Sequence, residues 1–105
     1  MSVRPPLPAV NAPWIVGRET LLEYAADEFL NETARQRPWR RARYETLMRA
    51  FIVALDPAGL ARLRDVTAVA QAAWLATLDA ERRCMAADML AEFREYVADF
   101  GWHTR

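Results

Sequence analysis

Lysine is missing from this chain, cysteine and histidine occur once each, and glycine occurs three times. A single thiol, Cys84, cannot close an internal disulfide, so a stapled secreted scaffold is excluded. One His (His103) and one Cys cannot assemble a His/Cys structural zinc site, so no metal is expected. No GxGxxG and no Walker sequence occurs, so no nucleotide or other cofactor is expected. No apolar run approaches the roughly 18–20 residues of a membrane span. Residues 1–13 hold four prolines and no continuous apolar stretch, unlike a signal peptide, and a cytoplasmic location is expected. Net charge is lacking too: fourteen Arg balance fourteen acids. That sum argues against a strongly basic nucleic-acid binder, unless the charge is unevenly spread.

What is present points to one small helical domain. The chain has 105 residues, a length at which one core is the rule. Hydrophobic residues make up 53% and charged residues 27%, which reads as a folded rather than a disordered chain. Twenty residues are Ala, the best intrinsic helix former. No segment shows the strict alternation of a strand, and there is no repeat or low-complexity stretch.

Residues 1–18 read as a Pro-rich tail, with Trp14, Ile15 and Val16 apolar enough for its end to dock on the core. Residues 19–101 read as the helical domain and 102–105 as a C-terminal end. A first helix is predicted at about 20–35, started by a capping box of Thr20 and Glu23. Its apolar stripe is Leu22, Ala25, Ala26, Phe29 and Leu30. A second is predicted at about 38–55, with Pro38 in the first turn, where its missing N–H costs little. Its stripe is Tyr44, Leu47, Met48, Phe51, Ile52 and Leu55, and Asp56-Pro57-Ala58-Gly59 stops it. A short helical piece from Leu60 to Arg64 follows. A third helix, about 67–78, has Thr67 as N-cap and Val69, Ala70, Ala73, Trp74 and Leu78 on one face. A fourth, about 80–100, carries Met85 or Ala86, Met89, Leu90, Phe93, Val97 and Phe100, and ends at Gly101. The expected fold is all-α, a compact bundle of four main helices.

The zero charge hides a pattern. Residues 1–34 carry two Arg and five acids, a net of −3. Residues 35–64 carry eight Arg and two acids, a net of +6. Residues 65–105 carry four Arg and seven acids, a net of −3. The densest part is Arg35, Arg37, Arg40, Arg41 and Arg43, around the start of the second helix. Cations there oppose the helix dipole, at about a few tenths of a kcal/mol each when exposed. An anion at that helix start would reverse the sign, and Arg is the better fork for phosphate. The plain alternative is a solvated charged face.

The run Arg37-Pro38-Trp39-Arg40-Arg41-Ala42-Arg43-Tyr44-Glu45-Thr46-Leu47-Met48-Arg49-Ala50-Phe51 resembles the N-terminal core-binding domain of tyrosine recombinases, the phage integrases. The matching positions are Pro38, Tyr44, Met48 and Phe51. Leu63-Arg64-Asp65-Val66-Thr67, then Trp74, Leu75 and Leu78, and finally Leu90, Phe93 and Gly101 continue the resemblance over about residues 20–101. It implies a SAM-like helical bundle that forms half of a clamp around duplex DNA, in DNA integration and recombination. It implies DNA contacts at Arg37, Arg40, Arg41 and Arg43 around the second helix, and at Arg82 and Arg83 on the last. The chain departs from the pattern at Arg40, where a small polar residue is common. It departs again on the last helix, whose outer side carries Asp88, Glu92, Glu95 and Asp99. The family's catalytic domain would begin after Gly101 and the chain stops at Arg105. No strand cleavage is expected of it, and it reads as a recombinase fragment or a stand-alone clamp domain.

No constellation of nucleophile, base and oxyanion donors is present, so no enzyme and no catalytic residue is expected. Cys84 beside Arg82 and Arg83 reads as a buried structural thiol rather than an activated one. His103 reads as part of a frayed end. Met48, Met85 and Met89 read as core filler. Trp39 reads as packing against the N-terminal tail, with stacking on a sugar or base as the alternative. Two functions are open: weak, electrostatic duplex-DNA binding, or a protein-interaction module with self-association. Four to six phosphate contacts would give a log–log salt slope of about −4 to −5 for the first.

Overall fold

The computed structural model of the chain describes residues 18–99. Helix α1 spans Leu22–Gln36, α2 Pro38–Leu55, α3 Ala68–Leu75 and α4 Ala80–Asp99, with a 3₁₀ turn at Leu63–Asp65 between α2 and α3. The described residues form an all-α bundle, and none of their helices is long and apolar enough to cross a membrane. Residues 1–17 of the tail, Phe100, Gly101 and His103 lie outside the described residues.

The α1 and α2 stripes fall where their periodicity puts them. Leu22, Ala25, Ala26, Phe29 and Leu30 are buried, as are Tyr44, Leu47, Met48, Phe51 and Ile52. Ala86, Met89, Leu90, Phe93 and Val97 bring α4 onto the same core. Phe29 sits at its centre, edge-on to Phe93 at 5.3 Å and stacked on Tyr44 at 6.2 Å. Phe51 meets Trp74 at 5.0 Å and ties α3 to α2. Burial of such aromatic side chains contributes about 1.5–3 kcal/mol each.

The start of α1 differs from its predicted form. Its N-cap is Leu21, and no side chain caps it. The reason is that residues 18–22 are drawn into extended pairing with 61–64. Leu22 N–H donates to Ala61 C=O at 2.8 Å, Leu63 N–H to Thr20 C=O at 2.9 Å and Arg64 N–H to Arg18 C=O at 2.9 Å. This backbone pairing places the N-cap at Leu21 rather than at Thr20.

Helices α1 and α2 are joined by one residue, Arg37 (φ −144°, ψ 78°). Proline at 38 disfavours helical backbone in the residue before it, so the first helix must stop there and the second can start at once. At the other end of α2, Asp56 accepts from Ala58 N–H at 3.0 Å, and Gly59 adopts φ +76° to complete the turn. The predicted helical piece at 60–64 is instead the 3₁₀ turn, held by Asp65 Oδ2 accepting from Arg62 N–H at 2.8 Å.

Helix α3 is shorter than predicted and rotated. Thr67 caps it, accepting from Ala70 N–H at 3.0 Å. Its inward residues are Trp74 and Gln71, whereas Val69 is 80% exposed. The stripe was misplaced because a glutamine occupies the buried row: Gln71 Oε1 accepts from the Arg94 guanidinium. After Leu75 the chain tightens into i→i+3 bonds at Thr77 and Leu78. Asp79 then caps α4, accepting from Arg82 N–H at 2.9 Å.

Candidate nucleic-acid interface

The corner between α1 and α2 gathers the basic cluster, and the structure divides its arginines into two groups. Arg40 and Arg41 are held by carboxylates. Arg40 Nη1 lies 2.6 Å from Glu92 Oε2 on α4, and the buried Tyr44 hydroxyl donates to the same oxygen at 2.8 Å. Burial and then the Glu92 carboxylate push the Tyr44 hydroxyl up to about 12. Arg40 thus fastens the start of α2 to the middle of α4. The Arg40 cation therefore serves an internal pair. Arg41 lies 2.6 Å from Glu45, and Arg49 3.1 Å from the other oxygen of that carboxylate. Arg49 first, then Arg41, holds the Glu45 carboxyl below its ordinary value. Arg35 likewise pairs with Glu32 within α1.

Arg37 and Arg43 form the second group. Both side chains are exposed, and neither has a hydrogen-bond or ion-pair partner among the described residues. Between them stands Trp39, 65% exposed. The expected packing partner of Trp39, the tail, lies outside the described residues. Trp39 and Arg43 are four residues apart and so share one face of α2. Arg37 is the N-cap and caps with no side chain; Pro38 has no N–H and Arg40 N–H donates to Arg37 C=O at 2.9 Å, which leaves Trp39 N–H as the open donor of the first three positions.

Arg82 and Arg83 are elsewhere. They precede Glu92 by ten and nine residues, which is about 15 Å along α4. Nine residues is two and a half turns, so Arg83 is on the opposite side of α4 from Glu92. Its guanidinium donates to Leu75 C=O at 3.1 Å and to Leu78 C=O at 2.7 Å. It closes the carbonyl end of α3. Arg82 is exposed and 3.7 Å from Asp79. The six predicted contact residues therefore do not converge. Cys84, read as a buried thiol, is exposed, because α4's first turn projects past the core and its stripe begins at Ala86.

Two grooves flank the second half of α4, and neither was read from the sequence. One, about 570 Å³, runs beside the α1–α2 corner and is lined by Glu32, Glu92, Glu95 and Asp99 with Arg37 as its only cation. The other, about 380 Å³, is lined by Arg18, Arg64 and Arg94 with no acid, over a floor of Leu63, Val66, Phe93, Val97 and Ala98. Arg64 is paired with Glu19 at 2.6 Å. The first lining comes from two separated chain segments and the second from three, which local sequence patterns cannot assemble. A polar residue in the α3 stripe, Gln71, was the one available signal.

The chain matches no family model, no curated protein and no solved structure.

Proposed function

We propose that this chain is a non-enzymatic duplex-DNA-binding module, acting as the recombinase core-binding domain does, through the start of α2. The observation that carries this reading is the exposed triplet Arg37, Trp39 and Arg43 at an uncapped helix start. Helix N-termini favour anions, and Arg forks match phosphate oxygens. An exposed indole beside them gives a flat surface for sugar or base contact. Arg41 is free to exchange Glu45 for a phosphate, since Arg49 also neutralises that carboxylate. Arg40 is a positioning residue. The acidic groove beside the corner keeps the contact small and oriented.

Three phosphate contacts predict a log–log salt slope of about −2 to −3. Titration of a labelled duplex at several salt concentrations measures it. The Arg37→Ala/Arg43→Ala variant is expected to lower the slope by about two, and Arg82→Ala to leave it unchanged. Undetectable binding at low ionic strength, or binding indifferent to salt, sinks the reading.

A further inference from the structure

We infer that the second groove along α4 is a docking site for an acidic segment of a partner protein bearing one large apolar side chain. Three observations converge on it. Leu63, Phe93 and Val97 give it an apolar floor large enough for one or two side chains. Arg18 and Arg94 are on its lining and no acid is, so its charge complement is negative. Gln71 is 8% exposed and lines the groove, and its amide nitrogen has no acceptor among the described residues. A buried donor without an acceptor is unfavourable, and a ligand carboxylate at that nitrogen would satisfy it.

Gln71 also orders the site. Its oxygen accepts from the Arg94 guanidinium, so the amide N–H and the guanidinium are presented together. A carboxylate can take both donors while its neighbouring side chain sits on Phe93 and Val97. DNA supplies anions but has no side chain for that floor. Residues 1–17 and 100–105 contain two Arg and no Asp or Glu, so their side chains do not supply the negative charge. The site is separate from the α2 surface, and the inference does not depend on DNA binding.

The test is fluorescence anisotropy of the full chain with a labelled peptide of Asp, Leu and Phe, against the same peptide with Asn for Asp. The acidic peptide is expected to bind at least about tenfold more tightly. Arg94→Ala should lower its affinity about tenfold, and Arg94→Lys should restore part of it. Ala98→Trp, at an exposed position on the groove, should block it without touching the core. Arg37→Ala/Arg43→Ala should leave it unchanged. Equal binding of the two peptides overturns the inference, as does indifference to Arg94→Ala or Ala98→Trp. A DNA duplex that displaces the peptide and is itself weakened by Arg94→Ala assigns the groove to nucleic acid, and also overturns it.

Discussion

Charge at the α1–α2 corner is decided one side chain at a time. Five arginines in nine residues look alike in the sequence, yet Glu32, Glu92 and Glu45 claim three of them. Two of these partners, Glu32 and Glu45, were legible as helical neighbours at i,i+3 and i,i+4. Glu92 was not, because it reaches Arg40 only through the packing of α4 on α2. The same packing buries Tyr44 and hands its hydroxyl to Glu92. This has an alkaline consequence. The native hydroxyl loses its proton near 12 rather than at its ordinary 10.0, so unfolding releases a proton between those values. Its stabilising effect is complete below pH 10 and is lost as pH rises toward 12. Tyr96, pushed up to about 12 chiefly by burial, adds to the trend. Urea unfolding midpoints are expected to fall over that range, and Tyr44→Phe should make the fall shallower. A midpoint that is flat over that range would count against the buried Tyr44–Glu92 bond.

Elements were more legible than their contacts. The limits of α2 follow from Pro38 and from Asp56 to Gly59, each a backbone constraint acting locally. The start of α4 at Ala80 was legible, and its apolar stripe is regular over about three turns, from Ala86 to Val97. Helix α3 was misread for two local reasons. Its Ala-rich segment offers little contrast between faces, and its buried row includes Gln71. Arg83 shows how an element can hide a role. In the sequence it is a cation on the last helix, whereas in the structure it satisfies carbonyls at the end of α3. Arg83→Ala is therefore expected to cost about 1 kcal/mol and to speed amide exchange at Thr77 and Leu78, with duplex affinity unchanged. Native-state hydrogen exchange beside a DNA titration separates this from a phosphate contact. A large loss of duplex affinity with unaltered exchange would return Arg83 to the interface.

At the scale of the molecule, α4 divides two electrical surroundings. Glu92, Glu95 and Asp99 face one groove, while Phe93, Arg94 and Val97 face the other. Segment sums showed that the neutral total was uneven, but no linear sum could show that the two signs lie back to back on one helix. The one-residue link between α1 and α2 has its own consequence at this scale. A surface carried on a long loop loses conformational freedom when it binds, at about 1–2 kcal/mol for each residue fixed. Here that freedom is already spent in folding, because Arg37 and Trp39 stand at a corner with no slack. The corner is a rigid die rather than a flexible arm, and such preorganisation lets few contacts suffice for binding. Two Gly residues inserted between Gln36 and Arg37 would keep every arginine and the net charge. They are nevertheless expected to weaken duplex binding about tenfold while leaving its salt slope in place, as measured by the same titration.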